Sequence, residues 1–157
     1  IRIDSFSLGV GPVEMASYLH QEGIANHTDD NQIEYSDDKR WAEPLDSNVS
    51  QVLLSNLTIL LPNQIIYPFP WKISQSPDYQ VLVDIRRFGW YPNNRVALNA
   101  RVIIEDNKDV IVFSGEQNIE FTAPESSYQS VVATHNQLLE RLSLRLVEIL
   151  IKVIPQE

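Results

Sequence analysis

The chain has 157 residues, 43% of them hydrophobic and 9% aromatic, so we expect a single domain with one ordinary core over residues 1–157. Its formal net charge is −9, and phosphate backbones and anionic lipid surfaces repel such a chain, which argues against nucleic acid as a partner. The absence of cysteine excludes disulfides and cysteine metal sites without indicating a compartment.

No apolar run approaches the roughly 20 residues that a membrane-spanning helix needs. The sequence begins at Ile1 rather than at methionine, and no signal-like segment follows. We therefore expect any export signal or lipid anchor to precede residue 1.

The first quarter of the chain predicts a strand followed by a hairpin. Apolar residues alternate over Ile1–Val13, where two glycines and a proline indicate a bend near the end of the strand. A turn of helix is expected at Met15–Tyr18. Two short alternating segments within Ile24–Tyr35 surround the acidic turn Thr28–Asn31, which predicts a hairpin. The charged residues Asp37–Arg40 are expected to form a solvated connector.

The stretch Trp41–Trp71 predicts one amphipathic helix that leads into a short buried strand. Apolar residues recur at intervals of three and four over Leu45–Leu61, and Pro44 suits the first helical turn. Pro62 ends the helix because it cannot donate the next hydrogen bond, and Gln64–Tyr67 then forms the strand. Three residues are alternative sources of the capping oxygen: Glu43, Asp46 and Ser47.

A three-stranded antiparallel meander is predicted after this stretch. Apolar and polar residues alternate over Tyr79–Arg86 and Arg95–Glu105, and Pro92–Asn94 supplies the turn between them. The third strand covers Val110–Phe121, where Gly115 is expected to interrupt the alternation. The other face of the meander is either covered by another element or available to a partner. On that face we expect Arg86, Phe88, Trp90 and Arg101.

The C-terminal region predicts a long helix that starts near Ser126 or Ser127 and measures about 40 Å. One apolar stripe follows its whole length, and a second is confined to the final turns. Exposed apolar stripes usually mark interfaces, so we expect a homo-oligomer, with burial inside the chain as the alternative. The predicted oligomer interface consists of Leu144, Val147, Ile151 and Ile154.

Together these elements predict an α/β fold. A mixed β-sheet contains the N-terminal strand, the strand at Gln64–Tyr67 and the antiparallel three-stranded meander. Two main helices cover the sheet, including the long C-terminal helix.

The sequence offers no grouping that predicts catalysis, a metal or a cofactor. The histidines His20, His27 and His135 lie on three predicted elements without the spacing of a metal site. We expect ordinary surface or interface histidines, and His135 also falls in the apolar stripe of the C-terminal helix. No serine lies in a nucleophile elbow, and the glycines of Gly9–Gly11 lack the third glycine of a dinucleotide loop. We therefore expect a non-enzymatic protein without a cofactor.

Aromatic residues near the two tryptophans are a candidate partner or ligand surface. The alternative is that their rings pack the ends of the helix and the strand, as large aromatic residues commonly do. With two aromatic residues of the meander, the candidate surface comprises Trp41, Tyr67, Phe69, Trp71, Phe88 and Trp90.

Several sequence blocks occur in a characteristic order: Ser7–Glu14 (SLGVGPVE), Tyr18-Leu19, Trp41–Leu45 (WAEPL), Tyr67–Trp71 (YPFPW), Tyr79–Phe88 and Leu98–Arg101 (LNAR). In these blocks the chain resembles the ABC-type transport auxiliary lipoprotein family, which includes a subunit of the paraquat-inducible intermembrane transport system. The WAEPL and YPFPW blocks are the most specific.

The resemblance implies a structural or docking subunit in the periplasm, tethered to the outer membrane by an N-terminal lipidated cysteine. Its implied partners are ABC transporter subunits and an MCE-type substrate-binding protein that moves lipids between membranes. Two alternatives remain open, a periplasmic module that itself binds a lipid or other apolar ligand and an enzyme of unrecognised type.

Overall fold

The computed structural model describes residues 5–20, 23–29, 32–40 and 45–155. Within these residues the strands are β1 (Ser7–Met15), β2 (Gly23–Asp29), β3 (Gln32–Arg40), β4 (Ile65–Pro68), β5 (Tyr79–Tyr91), β6 (Arg95–Asp106) and β7 (Ile111–Thr122). The helices are α1 (Leu45–Leu60) and α2 (Tyr128–Val153), and short 3-10 turns lie at Ser17–His20 and Pro92–Asn94.

The described strands form one mixed sheet of seven strands with β5 at its centre. Strands β4 and β5 both run parallel to β1 and lie on either side of it, while β5, β6 and β7 form an antiparallel meander. The predicted mixed sheet with its meander is confirmed. The predicted hairpin joins the same sheet as β2 and β3 through the pairing of Asn26 with Trp90. Strand β3 extends to Arg40, so the expectation of a solvated connector at Asp37–Arg40 is wrong.

Both helices pack on one face of the sheet, α1 over β1 and β4 and α2 over β5, β6 and β7. Most of their periodic apolar residues are buried or half-buried, as predicted, but Leu60 at the end of α1 is 36% exposed. Helix α2 has 26 residues, which corresponds to about 39 Å. Its N-cap is Ser127, whose Oγ accepts the Ser130 N–H at 3.2 Å, as the sequence predicted for this region. The predicted start of α1 near Pro44 lies outside the described residues.

A bulge in β5 changes which residues face the helices. The pairing shifts between Ile85 and Arg87, and beyond it Phe88 pairs with Leu98. Since Leu98 is buried under the helices, Phe88 points to the same side and is only 2% exposed. Trp90 also packs against the core. The expectation that Phe88 and Trp90 lie on the outer face of the meander is therefore wrong, because one extra residue reverses the alternation.

The outer face, which carries no helix, does contain Arg86 and Arg101, as predicted. The expected interruption at Gly115 is wrong, since β7 is continuous and Gly115 pairs with Val102. A Cβ atom added to Gly115 would lie 3.0 Å from the ring of Phe113. This glycine therefore leaves space for an aromatic ring beside it within an unbroken strand.

Candidate functional site

The segment from Phe69 to Asp78, which we term the crossover segment, connects β4 to β5 across β1. Because all three strands are parallel, the chain must return from the carboxyl end of β4 to the amino end of β5. Helix α1 covers the face of β1 formed by Leu8 and Val10. The crossover segment passes over the opposite face, which contains Gly9 and Gly11.

Two glycines of β1 leave the space that the crossover segment occupies. A Cβ atom added to Gly9 would lie 2.6 Å from Cζ3 of Trp71, and one added to Gly11 would lie 2.7 Å from Cβ of Phe69. The rings of Phe69 and Trp71 meet edge to face at 5.5 Å. The SLGVGPVE and YPFPW blocks are therefore two sides of one contact, with glycines on one side and aromatic residues on the other.

Reciprocal hydrogen bonds hold the far end of the crossover segment. The Ser7 N–H donates to Oδ2 of Asp78 at 2.9 Å, and the Asp78 N–H donates to Oγ of Ser7 at 2.9 Å. Beside them the ring of Tyr79 packs edge to face on Phe6 at 6.1 Å. Burial, together with the nearby carboxylates of Asp78 and Asp106, raises the pKa of Tyr79 above its usual value. These contacts therefore join the start of β1 to the start of β5.

The other end of the crossover segment borders an open groove of about 400 Å³. The groove lies between the carboxyl ends of β1 and β4 and the first turns of α1, where open α/β sheets commonly bind ligands. Val13, Leu54 and Phe69 contribute apolar surface, and Ser50 and Gln51 contribute polar groups. The described lining has no charged side chain, so the groove suits a neutral or apolar group. The peptide bonds Gly11–Pro12 and Phe69–Pro70 beside the groove are both cis.

The structure divides the predicted aromatic surface. Tyr67 and Trp71 are half-buried, Phe69 is 50% exposed, and all three lie on β4 or the crossover segment. Phe88 and Trp90 instead contribute to the core, as described above. Trp41 lies outside the described residues.

The predicted oligomer stripe is only partly exposed. Leu144 is 38% exposed, and Val147 and Ile151 are half-buried. Ile154 is 5% exposed and belongs to the core, so its expected place in an exposed stripe is wrong. Helix α2 ends at Val153, and Ile154 has an extended backbone, so the helical period no longer determines where its side chain points.

His135 is buried, as its place in the apolar stripe of the C-terminal helix predicted, so the expectation of a surface or interface histidine is wrong for this residue. Its ring stacks on Phe88 at 4.8 Å, and Nδ1–H donates to the carbonyl oxygen of Val131 at 2.7 Å. Burial lowers its pKa to about 4, so the ring is neutral at pH 7. Among the described residues no three His, Cys, Asp or Glu side chains are arranged to hold a metal ion. Nor does any described helix have the length and hydropathy needed to cross a membrane.

Solved structures share this fold at low sequence identity. The crystal structure of an uncharacterized protein is 19% identical, with a TM-score of 0.84, and the match covers 95% of this chain and 99% of that one. Protein XCC0632 from Xanthomonas campestris is 15% identical, with a TM-score of 0.78 and coverage of 92% and 82%. PelC from Paraburkholderia phytofirmans, a dodecamer in its crystal, is 11% identical, with a TM-score of 0.51 and coverage of 90% and 86%.

No curated protein matches this chain. A family model matches residues 2–147, which include every sequence block named above and the whole contact between β1 and the crossover segment. The family is described as the ABC-type transport auxiliary lipoprotein component. The chain therefore belongs to the family of ABC-type transport auxiliary lipoprotein components.

Proposed function

We propose that this chain is a non-enzymatic structural or docking subunit of an ABC-type transport system that works with an MCE-type substrate-binding protein. In this proposal the system moves lipids between membranes. The observation that carries the transport role is the family match over residues 2–147. The link to an MCE-type partner depends on the resemblance of the WAEPL and YPFPW blocks.

We also propose that residues 1–157 form one periplasmic domain, tethered to the outer membrane by a lipidated cysteine that precedes Ile1. The description of the family as lipoproteins supports the tether. Labelling the full-length product with a radioactive fatty acid, followed by membrane fractionation, tests it. The expected result is labelled protein in the outer-membrane fraction, and unlabelled protein in the cytoplasm would contradict the proposal.

The crossover segment is the proposed docking surface. Phe69 is half-exposed and the side chain of Ile73 is fully exposed, although Trp71 between them is held against Gly9. Exposed apolar side chains on a well-anchored segment suit recognition by another protein, because little conformational entropy is lost on binding. Of the aromatic residues predicted as a surface, Phe69 and Trp71 lie on this segment.

Site-specific photo-cross-linking tests the docking surface in cells. A cross-linking amino acid at Ile73 should capture the MCE-type protein or an ABC transporter subunit of the same system. The same amino acid at Asn136, an exposed position on α2, should capture neither. Equal capture from both positions, or capture from neither while the tagged protein fails to purify with transporter subunits, would contradict the proposed role.

A homo-oligomer is part of the proposal, and the exposed side of α2 supports it. Leu144 and Ile151 lie seven residues apart on one helical face, and both keep apolar surface outside the core. Similarity to the PelC dodecamer is consistent with assembly but shows only the fold. Native mass measurement should give an oligomer for the wild type and for Asn136→Glu, and a monomer for Leu144→Glu/Ile151→Glu. A wild-type monomer would contradict this interface.

The groove beside Phe69 favours a second candidate function, binding of a lipid or other apolar ligand by this domain itself. Its uncharged, partly apolar lining is the specific observation in favour. Organic extracts of natively purified protein would then contain a stoichiometric lipid by mass spectrometry. Ser50→Trp should fill the groove and abolish the co-purification of lipid, whereas Ser55→Trp, on the exposed side of α1, should leave the bound lipid unchanged. A lipid-free wild type would contradict this candidate.

A further inference from the structure

The outer face of the meander carries two pairs of arginines whose surroundings differ. The strand register places Asp84, Arg101 and Glu116 in one row across β5, β6 and β7. Arg86, in the bulge beside this row, lies 3.5 Å from Asp84 and 3.6 Å from Glu116. Arg101 donates to Oγ of Ser114 at 2.8 Å. Two guanidinium groups thus face two carboxylates, and their charges balance.

The second pair, Arg87 and Arg95, lies further along the same face, and among the described side chains one carboxylate, that of Glu120, lines the same depression. Glu120 is 3.9 Å from Nη1 of Arg95, a long and solvent-exposed contact. The Arg95 guanidinium is oriented by a hydrogen bond from Nε to the Pro92 carbonyl at 3.1 Å and by the Tyr91 ring, 5.9 Å away. Within the described part of the chain, Arg87 has no ion pair.

A depression of about 250 Å³ lies between these two arginines. Gly89 and Ala97 pair across β5 and β6 at this point, and their small size accounts for the depression. It is smaller than the roughly 300–1,000 Å³ of sites for drug-sized ligands, so it suits a single small group. Around its rim lie Arg87, Tyr91, Arg95, Asn99, Asn118 and Glu120.

The charges and the rim groups identify the class of ligand. Among the described residues that line the depression, Arg87, Arg95 and Glu120 together carry a net charge of +1, in a protein whose net charge is −9. Guanidinium groups bind phosphate and carboxylate oxygens in a directed, often bidentate geometry, and the neighbouring asparagine side chains carry further N–H donors. At physiological ionic strength, charges more than about 8 Å away are largely screened, so the local excess decides what binds.

We propose that this depression binds a phosphate group, either the singly charged diester of a lipid head group or free phosphate, through Arg87 and Arg95. The guanidinium of Arg95 is already oriented, and that of Arg87 is exposed and available to close on the ligand. Glu120 weakens binding because its carboxylate competes for Arg95. The balanced charges around Arg86 and Arg101 make no such site. This binding site does not depend on the proposed transport role.

Calorimetric titration of the whole chain tests the site with two probes, inorganic phosphate and dihexanoyl phosphatidylglycerol kept below its micelle concentration. Arg87→Gln should weaken the affinity about tenfold, because one charged hydrogen-bonding partner is lost. Arg95→Gln should do the same, and Glu120→Gln should strengthen binding a few-fold. Arg86→Gln, on the same face but with balanced charges, is the matched control and should bind as the wild type does.

The two probes distinguish the sources of the phosphate group. Tighter binding of the lipid identifies a head-group site, and equal or tighter binding of inorganic phosphate identifies a site for free phosphate. Either result supports the proposal when Arg87→Gln weakens that binding about tenfold. Failure of both probes to bind wild type, or equal weakening by Arg86→Gln and Arg87→Gln, would overturn it. Circular dichroism of each variant excludes loss of fold as the cause.

Discussion

Gly9 is a position where one added carbon atom meets the rigid ring of Trp71. A Cβ atom there would lie 2.6 Å from Cζ3, and the ring is also held by its contact with Phe69. Gly9→Ala should therefore lower the free energy of unfolding by about 1–3 kcal/mol, as overpacking does elsewhere. Urea denaturation measures this change.

Gly115→Ala is the control and should cost less than Gly9→Ala, because its Cβ atom would lie 3.0 Å from the ring of Phe113 and the ring needs to move only slightly. In a Trp71→Ala background, Gly9→Ala should cost much less, since the ring is gone. An equal loss with and without the Trp71 ring would show that some other contact penalises Gly9→Ala.

His135 should make stability depend on pH over a defined window. In the folded chain its pKa is about 4, and in the unfolded chain it returns to about 6.5. Below pH 6.5 the unfolded chain binds a proton that the folded chain does not, so stability falls as the pH decreases from about 6.5 to about 4. Above this window His135 adds no pH dependence. The full difference is on the order of 3 kcal/mol.

Comparison with His135→Phe isolates this contribution from the carboxylates, which titrate in both proteins. The variant keeps an aromatic ring against Phe88 and has no ionisable group at this position. Urea midpoints at about pH 7.5 and about pH 4.5 should show the wild type losing more stability than the variant. Parallel losses would mean that the folded protein accommodates the imidazolium.

At the scale of single residues, the sequence predicted types of environment better than specific contacts. His135 was correctly placed in an apolar stripe, because helical periodicity depends only on spacing. The contact between Gly9 and Trp71 joins residues 62 positions apart, and no local pattern specifies which ring a glycine accommodates. Ile154 was misplaced because the helix ends one residue before it.

At the scale of elements, helices α1 and α2 meet at a small polar residue. Ser143 is fully buried, and its Oγ donates to the Leu139 carbonyl at 2.8 Å and accepts from Nδ2 of Asn56 at 3.1 Å. Ser143→Ala should cost about 1 kcal/mol for the lost hydrogen bond between the helices. Ser143→Leu should cost about 1–3 kcal/mol, because the side chain grows by two heavy atoms in a filled space.

Thermal or urea unfolding measures both substitutions at Ser143. Ser55→Ala, on the exposed side of α1, should leave stability within about 0.5 kcal/mol of the wild type. If Ser143→Leu were as stable as the wild type, the helices would not be closely packed at this crossing.

Regular elements were predictable wherever one period persisted. Alternation identified β6, and intervals of three and four residues identified α1 and α2. The bulge in β5 was not predicted, because alternation shows only which residues share a face and an inserted residue exchanges the two faces beyond it. Phe88 and Trp90 were therefore assigned to the wrong face of the sheet. The charged segment Asp37–Arg40 resembles a loop in composition, yet it belongs to β3, whose pairing resumes where Arg40 meets Gly23.

At the scale of the whole molecule, the sequence indicated the layers but not the route of the chain. Nothing local shows that β4 and β5 lie on either side of β1, and that order alone makes the crossover segment pass over Gly9. The candidate site was therefore predicted as a group of aromatic residues without the strand that positions them. The groove beside Phe69 depends on the same topology and was not predictable either.

Exposed apolar side chains are concentrated at the end of the molecule where β1 begins. Ile65 pairs with Ser7 at the start of β1. Ile111 pairs with Glu105 near the end of β6, and this end of β6 lies beside the start of β5. Both isoleucines are more than half exposed, as is Ile59 in the last turn of α1. The proposed tether would join the domain at this end, where β1 begins.

We therefore expect the chain to bind weakly to neutral phosphatidylcholine vesicles through this end, since exposed apolar surface gains about 25 cal/mol per Å² on leaving water. Ile65→Thr/Ile111→Thr should reduce flotation with the vesicles while changing the free energy of unfolding by less than about 1 kcal/mol, because both side chains are largely exposed. Asn136→Thr, in the half of α2 that starts beside Asn94 at the opposite end of the sheet, is the control and should float as the wild type does. Equal flotation of wild type and double variant would place the exposed isoleucines in a protein contact instead.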